Sequence, residues 1–245
     1  MTQKEYPSGT EPGHEPLSSG RLPAGTVEAA AITRRSIRAY QSRPVARNIV
    51  ENILKIAGKA PSGSNIQPWK VYVLSGATLA RVSEKMQAAY LAGEPNQMEY
   101  NYYPSPFTEP FLSRRRATGW GLYKLLGITK GDREKSREFR SRMYVFYNAP
   151  VGLIFTIDKA LEAGSWLDYG MFLQTIMLSA RQFGLDTCPQ ASIAEYPAVL
   201  RSDLPISNDE TIVCGMALGY ADQDSEINFY QPERLDISDF TTFLD

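Results

Sequence analysis

Three guanidinium groups and a hydroxyl fall within five residues at Arg34, Arg35, Ser36 and Arg38, the string RRSIR. A guanidinium is a planar fork that donates two hydrogen bonds to two oxygens, so this density suits a phosphate or another oxyanion. A second string, PSGSNIQPW at residues 61–69, sets Ser62, Ser64, Asn65 and Gln67 around Gly63. Amide side chains donate and accept at once, which suits the edge of a pyrimidine-like ring. Gly63 lets backbone come close to a ligand. Alone, the first string fits a solvated basic turn and the second an ordinary connecting loop.

Much other chemistry is excluded. The only histidine is His14, so a Ser-His-Asp triad, a Cys-His pair or a histidine metal site would have to use that residue. Two cysteines, Cys188 and Cys214, are too few for a disulfide framework or a structural zinc site. No metal site is expected. No side chain stands out as a nucleophile, so a bound cofactor is expected to carry any catalysis. A net charge of −1 argues against a general nucleic-acid binder. No apolar run approaches the length that spans a membrane. The first 25 residues lack the basic start and apolar stretch of a signal peptide. They read as a disordered tail rich in Pro, Gly, Ser and Glu. A cytoplasmic protein is expected.

The elements that must position these strings follow from periodicity. Apolar residues at helical spacing predict a helix over 44–59, ahead of the second string. WKVYVL, at 69–74, predicts a strand, followed by a polar helix over about 77–91. Residues 93–112 are rich in Pro and Tyr with no period. A basic, helical stretch is expected over 113–145, where ten Lys and Arg face three Asp and Glu, an excess of +7. A buried strand is expected over 150–157. Ser165 is the expected N-cap of a helix over 166–183 that Gly184 stops. A last strand is expected over 211–218. Helices interleaved with few strands suggest three layers around a small sheet.

Taken together, RRSIR, the amphipathic helix and PSGSNIQPW resemble the N-terminal signature of the nitroreductase family. The C-terminal half agrees. GLDTCPQAS (184–192) is similar to that family's loop over a flavin face, CGMALGYAD (214–222) to its last core strand, and QPERLDISDF (231–240) to its closing arginine motif. The resemblance covers about residues 27–240, apart from the insertion in the middle.

The resemblance implies an α+β fold, with a mixed β-sheet flanked by helices in a three-layer sandwich and an intertwined homodimer. It implies FMN as cofactor and NADPH or NADH as reductant. Hydride would pass by a ping-pong scheme to a nitroaromatic or quinone acceptor. The domain would run over 26–245, with an insertion or lid at about 93–145. Arg34, Ser36 and Arg234 would hold the phosphate and ribityl chain, and Arg35 would touch the ring or ribityl edge. Arg38 would lie near the pyrimidine carbonyl, where a cation stabilises negative charge. The family's second basic residue, two positions before Arg234, is Pro232 here, which leaves one cation fewer.

Ser62, Gly63, Ser64, Asn65 and Gln67 would reach the FMN from the partner subunit. Pro189, Gln190 and Ala191 would lie over the ring. The 102–128 run is similar to the branch that includes nitrobenzoate reductases. In the lid, Tyr100, Tyr102, Tyr103 and Phe107 would stack on a small aromatic acceptor, and Arg115 would attract an anionic group. Two rivals share these strings: reductive dehalogenation or other flavin chemistry on the same fold, and a flavin-binding protein without turnover.

Overall fold

A computed structural model of the chain describes residues 23–244. It contains helices α1 (Val27–Thr33), α2 (Arg47–Ala57), α3 (Gly76–Ala92), α4 (Phe111–Leu125) and α5 (Arg133–Ser141), with strand β1 (Lys70–Ser75) between α2 and α3. Strand β2 (Val151–Asp158), α6 (Ala163–Gln182), β3 (Asp186–Gln190), α7 (Pro197–Asp203), β4 (Glu210–Gly219) and α8 (Ile237–Phe240) follow.

The sheet has the order β1-β2-β4-β3. Strands β2 and β4 are central and almost wholly buried. Side chains alternate across a strand, and here both faces are covered. Leu153, Phe155 and Ile157 pack with Val50 and Ile53 of α2 and Phe172 and Ile176 of α6. Ile154 turns the other way, into a second cluster with Val82 and Met86 of α3 and Leu200 of α7. The result is the expected three-layer α+β arrangement.

The structure departs from expectation in particulars. All three strand pairings are antiparallel rather than mixed. The only parallel pairing among the described residues is an isolated bridge between Ser36 and Thr187. Residues 186–190, expected as loop, form edge strand β3. The basic stretch is two helices rather than one. Gly127 and Gly131 between them adopt φ of 62° and 94°, a left-handed conformation that ends a helix. Ser165 is not a cap: α6 begins at Ala163, and Glu162 stands at the N-cap position. The expected disordered tail falls mostly outside the described residues. Its last part is packed, since Ala24 is buried and its N–H donates to Arg181 O at 2.9 Å.

The insertion is fastened at its base. The Glu99 carboxylate accepts from Arg201 Nη2 at 3.0 Å and from the Ile212 N–H at 3.2 Å, and Lys159 Nζ lies 3.3 Å away. Burial alone would raise this carboxyl's pKa, but the hydrogen bonds and cations outweigh it and hold it below the usual range. The Gln97 N–H donates to Glu195 O, and the Tyr100 hydroxyl donates to Val213 O on β4. Among the described residues, no helix is long and apolar enough to cross a membrane, and no His, Cys, Asp and Glu cluster could hold a metal ion.

Candidate active site

The chain leaves α1 in an extended conformation at Arg34 and runs beside β3, where the Ile37 N–H donates to Thr187 O at 3.1 Å. Residues two apart on an extended chain share a face. Ile37 is therefore buried in the core while its neighbours face a cavity of about 270 Å³. Arg34, Arg35, Ser36, Arg38 and Arg234 all line it, together with Thr118 of α4, and among the described residues no carboxylate does. Burial first, and then the charge of Arg234, lowers the pKa of Arg34. Cations gathered in a half-buried space attract an anion.

Residues after β4 fix this rail. Asn228 Oδ1 accepts from the Arg38 and Ala39 N–H groups at 2.8 and 3.2 Å. Its Nδ2 donates to Ala39 O and Asp222 O, each at 2.8 Å. The Gln231 amide oxygen accepts from Arg35 Nη2 at 2.6 Å and Nε at 3.0 Å. Neither Asn228 nor Gln231 belonged to the expected site.

Arg38 also lines a second cavity, of about 650 Å³, so its side chain is shared between the walls of the two. A third cavity, of about 640 Å³, adjoins the second. Pro189, Gln190 and Ala191 line both, as do Tyr100, Asn101 and Tyr102. Thr187 Oγ1, Gln190 Oε1 and Ser192 Oγ are buried without a hydrogen-bond partner. Such atoms are costly unless a ligand satisfies them. FMN fits this donor set: an anion at the arginine end, and a flat heterocycle with polar edges along Pro189 to Ala191. The second cavity also holds two residues that the sequence did not mark. Tyr147 stands in the left-handed region at φ 52°, and Glu195 accepts from the Tyr144 hydroxyl at 2.5 Å.

The cysteines take no part in acid–base chemistry. Burial pushes the Cys188 thiol up to about 11 and the Cys214 thiol to about 12. In an unfolded chain a thiol ionises near about 8.5. The unfolded state therefore loses its thiol protons first. The contribution of the buried thiols to stability is intact below about pH 8.5 and declines as pH rises towards those folded values. Iodoacetamide at pH 8 is expected to spare both cysteines in the native protein and to modify both in urea. Rapid modification of the native protein would contradict this.

Ser62, Gly63, Ser64, Asn65 and Gln67 stand apart from the arginines and line none of the three cavities. They form a short 3-10 turn and its flanks. The Gly63 N–H donates to the buried Asp168 Oδ2 at 3.0 Å, and the Gln67 N–H donates to Ser62 Oγ at 3.0 Å. Ser64, Asn65 and Gln67 have φ of 49°, 57° and 53°. Such backbone conformations cost energy and persist only where the surrounding structure holds them.

Of the lid residues, Tyr100, Tyr102 and Tyr103 line the second cavity, while Phe107 and Arg115 line none of the three. The aromatic rings form a continuous rail. Trp166 lies 4.8 Å from Tyr100, Tyr102 lies 4.5 Å from Tyr103, and Tyr103 lies 5.3 Å from Phe107. The Arg115 guanidinium covers the Phe107 ring at 4.5 Å and the Tyr103 ring at 5.2 Å.

The model of the nitroreductase family matches residues 31–220. The chain is 41% identical over 212 residues to a chloronitrobenzene nitroreductase from Comamonas testosteroni, covering 86% of this chain and 93% of that protein. It is 38% identical over 217 residues to a 4-nitrobenzoate reductase from Pseudomonas putida, covering 89% and 95%. Among solved structures, the FMN and NADPH-dependent nitroreductase NfnB from sphigopyxis sp. strain HMH superposes with a TM-score of 0.86. The identity is 33%, over 90% of this chain and 99% of that one.

Proposed function

Because the chain belongs to the nitroreductase family, we propose that it is an FMN-dependent, NAD(P)H-oxidising reductase of nitroaromatic compounds that works as a homodimer. The observation that carries this reading is the arginine cavity, lined by no carboxylate among the described residues, with Arg38 shared between it and the cavity that Pro189, Gln190 and Ala191 line. When bound, FMN would supply the redox chemistry that links NAD(P)H oxidation to reduction of the acceptor. Arg34, Arg234 and Ser36 hold its phosphate and ribityl chain, and Arg35 the adjoining edge. Arg38 places a cation beside the ring's pyrimidine end. A cytoplasmic location, where NAD(P)H is available, goes with this reading.

The homodimer draws support from two features. The strained loop holding Ser62, Gly63, Ser64, Asn65 and Gln67 faces away from its own chain's cavities, so a partner's cavity is its natural target. Large apolar side chains also stand in solvent on the single chain. Leu167 is 72% exposed, Phe240 67% and Phe243 76%. Exposed apolar surface of this kind marks an interface.

In the lid, residues 93–145, Tyr100, Tyr102, Tyr103 and Phe107 offer ring faces to an aromatic acceptor, and Arg115 at the end of the rail supplies positive charge. Stacking and cation contacts each contribute about 0.5–2 kcal/mol, enough for selectivity.

The test begins with denaturation, which should release FMN and not FAD. Turnover with NADPH and NADH then compares 4-nitrobenzoate with its neutral methyl ester at low and high salt. The acid is expected to have the higher kcat/KM, and salt to erode the advantage. Equal values at both salt levels would make the basic stretch a solvated surface and remove Arg115 from the site. Turnover of a halotyrosine without any nitroarene reduction would move the assignment to reductive dehalogenation.

A further inference from the structure

Helix α4 belongs to the insertion, yet its Thr118 walls the arginine cavity rather than the acceptor end. The helix sits on the same segment that fixes the arginine rail. The Tyr230 hydroxyl donates to Ala117 O at 3.5 Å. Leu122 packs with Ile227 and Ala39 in a small apolar cluster, separate from the two main cores, that Tyr230 and Phe139 border. Close approach is possible because residue 121 is glycine. A Cβ there would lie 2.5 Å from Tyr230 Cε2 and 2.6 Å from its hydroxyl oxygen. Any side chain at 121 must displace either the helix or the tyrosine ring.

We propose that α4 is part of the cofactor clamp. Seated on Tyr230 through Gly121, it closes the phosphate end of the cavity against water. The insertion therefore governs retention of the phosphorylated cofactor as well as the choice of acceptor. This rests on the FMN reading above. The physical reason is dielectric: an arginine–phosphate contact is far stronger in a space that water cannot enter. Asn228 and Gln231, in the same segment as Ile227 and Tyr230, hold the rail. One short segment thus couples the seat of α4 to the aim of Arg35 and Arg38.

The test measures FMN and riboflavin affinity by fluorescence quenching on apoprotein. Riboflavin lacks the phosphate, so the ratio of the two affinities reports on the phosphate end alone. Three forms are compared: wild type, Gly121→Leu, and Gly121→Leu with Tyr230→Ala. Leucine is the better helix former, so α4 itself is not weakened by the change. Gly121→Leu is expected to lose about tenfold or more in FMN affinity with less than about twofold change for riboflavin, as one screened phosphate contact predicts. Tyr230 is the seat of the helix and also lines the cavity, so the double variant is expected to keep the FMN-selective loss. Full recovery of the wild-type ratio in the double variant would overturn the clamp by showing that the seat is not needed. A Gly121→Leu protein that keeps the wild-type ratio would overturn the clamp. Wild-type apoprotein that binds no FMN would overturn the cofactor reading itself.

Discussion

An Arg34→Ala variant is expected to lose about 10- to 100-fold in FMN affinity, the equivalent of about 1.5–3 kcal/mol for a hydrogen bond to a charged group. The apoprotein should not lose stability with it. Burial and then the charge of Arg234 lower the pKa of Arg34, so the free protein bears a cost for holding these cations together. Removing one of them relieves that cost in the free protein and removes attraction in the complex. The two effects have opposite signs, and that separates ligand binding from mere packing. Thermal melts of apoprotein with titrations of FMN and riboflavin measure both. Loss of affinity for both flavins alike, together with a lower apoprotein melting temperature, would show that Arg34 holds the backbone together rather than an anion. Arg234 should behave in the same way but more weakly. It is exposed, and its guanidinium already donates to Pro232 O and Glu233 O at 3.0 and 3.2 Å.

The arginine rail was legible because its information is local. Five consecutive residues contain all the charge, and an extended chain was enough to aim them. Partners drawn from far along the chain were not legible. Asn228 lies 190 residues from Arg38, in a stretch that carries no motif, and nothing local marks its amide as different from that of Asn96 or Asn208. Edge strand β3 was hidden for another reason. DTCPQ has an acidic residue, a proline and only five positions, and its sequence reads as loop. Proline is tolerated at an edge because no ladder partner needs its missing N–H on the open side. Conversely, the break between α4 and α5 was written in Gly127 and Gly131, but the run of like charges made one long helix look continuous. The strings at 34–38 and 61–69 were read together because they resemble one signature. Within a single chain the two strings line no common cavity.

Asn228→Ala is expected to cost about 3–5 kcal/mol of stability, because each buried polar group left without a partner costs about 1–3 kcal/mol and water entering the gap recovers part of the sum. Three groups lose their Asn228 partner outright, the N–H of Arg38, the N–H of Ala39 and the carbonyl of Asp222, while the carbonyl of Ala39 loses one of two. Against a total of about 5–15 kcal/mol for a folded protein, that is a large fraction. The backbone at 38–39 has other supports nearby, since the Asp222 N–H donates to Ala39 O at 3.0 Å and Arg142 Nη2 donates to Arg38 O at 3.3 Å. The variant should therefore fold and remain measurable. Urea denaturation is expected to show a lower midpoint with an unchanged slope, which marks lost stability without a change in the surface exposed. FMN should also bind more weakly, because the register of Arg38 depends on the same amide. A loss below about 1 kcal/mol would mean that water replaces the amide at little cost, and the rail would then owe its aim to Gln231 and Arg142.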